Sequence, residues 1–145
     1  LSEFVRNSIK NIVVLSGHAG KTHMTALRLA AEKVVRENRA NIMVLSDYDI
    51  AYDLLNKDES IPNDDGHSGL IETSRIMAIR EDLVKGKGEP GSKRPPKFMV
   101  LPDPEKYFPS GVMGDPTNAS GKKGKEINDF IIDELVKLIE EMKKI

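Results

Sequence analysis

Two stretches of this chain bring glycine, histidine and charged residues together in patterns that could do chemistry. In "VVLSGHAGKT" (13–22) an apolar run enters a turn carrying Gly17, His18, Gly20 and Lys21. In "DDGHSGLIETS" (64–74) Asp65, His67 and Glu72 surround Gly66 and Gly69 at the entry to a helical pattern. The first stretch admits three readings: a phosphate cradle, a metal ligand on a loop, or a tight turn. A P-loop needs four residues between its first glycine and the Gly-Lys-Ser/Thr end, so that enough backbone N–H groups wrap the phosphates. Here only His18 and Ala19 separate Gly17 from Gly20, and Leu15 stands where the first glycine belongs. Asp47, ending the next apolar run, would imitate the magnesium-holding Asp of such nucleotide hydrolases. As a metal ligand, His18 would sit just past the carboxyl end of a strand, where α/β proteins place their sites. A lone histidine there is also compatible with a structural role. The second histidine strengthens the functional reading, because Asp65, His67 and Glu72 are ligand and proton-transfer types. Its structural alternative is a loop with helix-capping residues.

The elements that position these residues follow from hydrophobic periodicity. "NIVVL" (11–15) and "NIMVLSD" (41–47) are short continuous apolar runs, the pattern of strands buried on both faces. Between them, from Thr22 to Asn38, Met24, Leu27, Ala31 and Val34 recur at helical spacing. Strand, helix, strand in this order is a βαβ unit, which predicts a parallel sheet with a right-handed crossover. Residues 51–69 begin helical or irregular and become a polar loop. Residues 70–83 are helical, with Ile71, Ser74, Met77 and Ala78 on one side. A basic Gly/Pro loop (84–96) leads to "KFMVLP" (97–102), which reads as a third strand. Residues 103–120 are aperiodic and rich in turn formers. A last helix is predicted from Glu126, with Ile127, Ile131, Leu135, Leu138 and Met142 toward the core. The expected class is α/β, a three-layer α/β/α arrangement with a mostly parallel sheet in a single domain.

Composition narrows the chemistry. The 145 residues carry 22 Lys plus Arg against 23 Asp plus Glu, so there is no electrostatic footprint for nucleic acid or an anionic membrane. A small-molecule partner is expected instead. With no cysteine, disulfides, thiolate zinc sites and cysteine nucleophiles are excluded. Imidazole and carboxylate ligands remain. No apolar run is long enough to span a bilayer and no signal peptide is visible, so a cytoplasmic location is expected.

Three motifs then carry a resemblance. "SGHAGK" resembles the "NGHGGN" element of the creatininase (creatinine amidohydrolase) family. "DGHSGLIETSRIMAIREDLV" resembles that family's D-x-H-A-G-x-x-E-T-S element, and "GVMGDPTNASGKKG" its G-x-x-G-x-P-x-x-A-S-x-E-K-G element. The three occur in the family's order and span nearly the whole chain. The resemblance implies an α/β/α metal-dependent amidohydrolase with two divalent ions (zinc, manganese or iron) that hydrolyses a cyclic or linear amide. It implies His18 as a metal ligand, His67 as a proton-transfer group and Glu72 as a ligand or a carboxylate that orients one. Asp65 would orient His67 or hold substrate. It also implies a homo-oligomer, often a hexamer.

The departures bear on the substrate. Ser16, Ala19 and Lys21 replace Asn, Gly and Asn, and Lys122 replaces Glu. In creatininase a metal-binding Glu follows the ligand His by two residues, where this chain has Gly20. The aromatic clamp for creatinine is missing, since the chain has no Trp. The family also includes deformylases of a formamidopyrimidine ribonucleotide in riboflavin and deazaflavin biosynthesis, and Lys21 at a helix start suits a phosphate-bearing substrate. That formamide hydrolase is the expected subgroup, with creatinine amidohydrolase, a P-loop-like nucleotide hydrolase and a non-catalytic structural subunit as alternatives. In the family an amino-terminal segment supplies a Glu and a His close together and then an Asp, further ligands that nothing here matches. Residues 1–145 therefore read as the carboxy-terminal part of the domain.

Overall fold

The computed structural model describes residues 1–55, 65–91 and 95–145. The parts of the two sequence-expected loops at 56–64 and 92–94 lie outside the described residues. The described chain divides into two compact units, Leu1–Asp53 with Ile131–Ile145, and Leu54–Phe130.

The first unit opens with α1 (Ser2–Arg6) and contains the βαβ motif: β1 (Asn11–Ser16), α2 (Lys21–Glu37) and β2 (Asn41–Ser46). The strands pair in parallel from Asn11↔Asn41 to Ser16↔Ser46. In-register pairing brings both carboxyl ends to one edge, so Ser16 and Ser46 lie side by side. Helix α2 buries Met24, Ala31 and Val34, three of the four residues of the expected stripe. The strands are less enclosed than their apolar runs suggest. Ile12 is buried, but Leu15 is 47% exposed. Each strand is paired on one side only among the described residues.

Helix α3 (Asp47–Leu55) follows β2 without a linker. Its start is a capping box. The Ser46 hydroxyl accepts the Tyr48 N–H at 3.3 Å, and the Asp49 carboxylate accepts the Ser46 N–H at 2.9 Å. Ser46 also donates to Asp47 at 3.4 Å. These carboxylates therefore help form the start of α3, the place where a P-loop enzyme would need a magnesium ligand.

The second unit contains α4 (Leu70–Arg80), a 3-10 turn at Glu81–Leu83 and another at Pro104–Tyr107. Helix α4 buries Leu70, Ile71 and Ser74, while Ala78 of the expected stripe is exposed. Residues 97–102 are not a strand. Lys97 and Phe98 form a turn, Phe98 takes a left-handed φ of 65°, and Val100 is 99% exposed. An apolar run becomes a strand only when a ladder partner takes up its N–H and C=O groups, and among the described residues no strand pairs with it.

Helix α5 (Gly121–Met142) begins five residues before the expected Glu126. The glycine at position 124 is explained by packing. A Cβ on Gly124 would stand 1.8 Å from the Ser74 carbonyl oxygen. Glycine is needed there because the two helix backbones approach closely, which offsets its poor helix propensity. Further along, Ile127, Ile131 and Met142 are buried, as the periodicity predicts. Among the described residues no helix is long and apolar enough to cross a membrane.

Candidate metal centre

His18 lies in the short connection from β1 to α2. Ser16, the last strand residue, organises this turn. Its hydroxyl donates to the His18 carbonyl at 2.9 Å and accepts the His18 N–H at 3.2 Å. The imidazole lies over Gly20: a Cβ there would stand 2.3 Å from His18 Nε2. Residue 20 must therefore be glycine for His18 to keep this position. Any side chain there would push the ring from this position. Lys21, the first residue of α2, is exposed.

His23 is a neighbour that the motif reading missed. It is the third residue of α2, and its Nε2 lies 3.1 Å from Ser16 Oγ. The His18 and His23 ring centroids are 5.3 Å apart at 58°. The sequence signal for it is positional: side chains in a helix tilt toward its N-terminus, so a residue in the first turn reaches back to the preceding strand end.

Asp65, His67 and Glu72 belong to the second unit, around the start of α4. Asp65 is 5% exposed. Its carboxylate accepts the Leu70 N–H at 2.5 Å and the Ile71 N–H at 2.9 Å. A helix start has unpaired N–H groups and a partial positive charge, and a carboxylate satisfies both. Hydrogen bonds to a charged partner contribute about 1.5–3 kcal/mol each. Asp65 thus fixes the start of α4 and, through it, the turn carrying His67.

The structure does bring His67 and Glu72 together. His67 Nδ1 is 3.7 Å from Glu72 Oε2, with the His67 side chain 70% exposed and that of Glu72 32% exposed. That separation is longer than a hydrogen bond but within ion-pair reach when the imidazole is protonated. Glu72 is held from the other side, because it accepts the Ser68 N–H at 2.6 Å. Ser68 itself has a φ of 54°, which aims the turn.

The loop at 111–120 braces this turn. The Met113 N–H donates to the His67 carbonyl at 2.7 Å, and the Gly66 N–H donates to the Met113 carbonyl at 2.8 Å. Gly91 and Gly114 exchange backbone hydrogen bonds at 2.9 and 3.1 Å. The Ser120 N–H donates to the buried Ser74 hydroxyl at 3.1 Å. Lys87 reaches the Thr117 and Ala119 carbonyls at 2.7 and 3.0 Å. The Thr117 hydroxyl and N–H hold the Asp115 carboxyl below its ordinary range. The third motif is thus scaffolding for the second. A cleft of ≈ 340 Å³ lies beside Glu72, lined by Ser68, Thr73, Ile76, Val84 and Val112 among others.

His18 and Glu72 offer imidazole and carboxylate donors of the kind that divalent zinc, iron or manganese accepts. Among the described residues, no three His, Asp or Glu side chains converge as a metal-holding group.

The sequence matches the family described as Creatininase: Creatinine amidohydrolase, over residues 1–139. No curated sequence matches it. Among solved structures it is similar to a mutant creatininase complexed with creatine, at 23% identity and a TM-score of 0.76, over 97% of this chain and 61% of that one. It is similar to a creatinine amidohydrolase (creatininase) at 23% identity and a TM-score of 0.77, over 95% and 58% of the two chains. A mutant creatininase of Zn-Zn type gives 23% identity and a TM-score of 0.76, over 97% and 59%. The chain spans about three-fifths of the length of these creatininases. At this identity the structural likeness concerns the fold.

Proposed function

The chain belongs to the creatininase (creatinine amidohydrolase) family, and from that premise we propose that it works as a metal-dependent amidohydrolase on a linear or cyclic amide. The observation that carries this reading is the pairing of His67 with Glu72 at 3.7 Å, on a turn braced by the third motif. In the proposal His18 and Glu72 are metal ligands, and the remaining ligands come from residues other than these two. Divalent ions, when bound, supply Lewis acidity toward the amide carbonyl and make water a competent nucleophile at neutral pH.

The roles of the chain's own residues follow from placement. Glu72 is fixed by the Ser68 N–H, so its orientation is set before any ligand arrives. His67 presents Nδ1 toward Glu72, which leaves Nε2 as the atom that would deliver a proton to the departing nitrogen. Its exposure lets the ring exchange protons with solvent between turnovers. The cleft beside Glu72 is of small-molecule size.

Within this class, a formamidopyrimidine ribonucleotide is the substrate we favour over creatinine. Lys21, exposed at the start of a 17-residue helix, supports a phosphate-bearing substrate. Gly20 in place of a ligand Glu, and the lack of Trp, weigh against creatinine. The test is to assay the full-length protein with both compounds. The expected result is release of formate with kcat/KM at least roughly 100-fold above that for creatinine, about 2.7 kcal/mol of differential transition-state binding. Efficient creatinine hydrolysis would overturn the substrate assignment while leaving the amidohydrolase class intact.

A further inference from the structure

We infer that His23, acting through Ser16, is a positioning residue that holds His18 ready for metal. The inference rests on the proposed reading of His18 as a ligand. A serine hydroxyl has one proton to give and two lone pairs to receive with. Ser16 gives its proton to the His18 carbonyl at 2.9 Å and receives the His18 N–H at 3.2 Å. The contact with His23 Nε2 at 3.1 Å must then be donated by the imidazole, so His23 carries its proton on Nε2. All three hydrogen-bonding positions of Ser16 are filled, and two of them grip the backbone of His18.

The ring of His18 is confined as well as its backbone. Gly20 lies against its Nε2 side, and the His23 ring stands at 5.3 Å, tilted by 58°. His23 is itself anchored in α2, which buries Met24, Ala31 and Val34 and packs against β2. One rigid helix thus restrains both the turn and the imidazole. A ligand ordered before binding has less freedom to lose when the ion arrives. Outer partners of metal-binding histidines typically account for 10–100-fold in affinity.

The experiment uses the full-length protein stripped of metal, titrated with zinc by calorimetry, as wild type and as His23→Phe, His23→Gln, Ser16→Ala and His18→Ala. His23 is exposed, so phenylalanine keeps the ring contact and removes the donor without disturbing a core. Long-range 15N–1H NMR on the metal-free wild type reads the tautomer of His23 independently of any variant. We expect His23 as the Nε2–H form. His23→Phe and Ser16→Ala should each weaken zinc binding by roughly 10- to 100-fold. His23→Gln, which retains an amide donor, should recover most of that loss, which a merely space-filling role would not produce. Wild-type zinc affinity in His23→Phe, with binding lost in His18→Ala, would overturn the positioning role while leaving the ligand reading standing. Wild-type affinity in His18→Ala would overturn both. An Nδ1–H tautomer of His23 would also overturn the inference.

Discussion

Replacing His18 with alanine in the full-length protein should lower metal content and amide turnover together. The expectation follows from where the residue sits. It lies past the carboxyl end of a parallel strand, with its backbone gripped by Ser16 and its ring seated over Gly20. Such restraint on an exposed imidazole serves ligation better than packing, since nothing apolar is gained by holding a solvent-facing ring in place. The loss in affinity should exceed the roughly 10–100-fold that an outer partner contributes. Elemental analysis of the purified variant beside its kcat checks this. Wild-type metal stoichiometry would remove His18 from the ligand set.

His67→Ala should separate the two quantities. Removing a general acid or base typically costs 10²–10⁴ in rate, so kcat should fall by roughly 100-fold or more. Metal should stay bound. The turn at His67 is held by main-chain groups, through the Met113 N–H on the His67 carbonyl at 2.7 Å. Glu72 keeps its own hydrogen bond to the Ser68 N–H at 2.6 Å. The alanine variant therefore loses an imidazole and little of the scaffold. Steady-state kinetics with parallel metal analysis checks the split, and wild-type turnover would take His67 out of the mechanism.

The βαβ unit was legible in the sequence because its signals are local. Two apolar runs and a 3.6-residue stripe name their own elements, and the strand boundaries at Ser16 and Ser46 fall within a residue or two of where the runs end. "KFMVLP" misled because an apolar run cannot state whether a partner strand exists. Gly121 and Gly124 hid the first turn of α5, and the reason for glycine at position 124 is the Ser74 carbonyl, some fifty residues away. The same limit applied to the site. Motif spacing singled out His18, Asp65, His67 and Glu72, but it could not tell that the Asp65 carboxylate also accepts the first N–H groups of α4. His23 escaped notice because its partner is Ser16, and only helix geometry brings the two together.

The central claim, metal-dependent amide hydrolysis, is tested most directly by removing and returning the metal. The full-length protein is stripped with a chelator, assayed on a formamidopyrimidine ribonucleotide and other amides, and assayed again after addition of zinc, manganese or iron. The account predicts that the stripped protein is inactive and that one of these ions restores turnover as it binds. Undiminished hydrolysis by the metal-free protein would contradict it. So would a protein that binds none of the ions tightly and cleaves no amide, the behaviour of a structural relative that keeps only the fold.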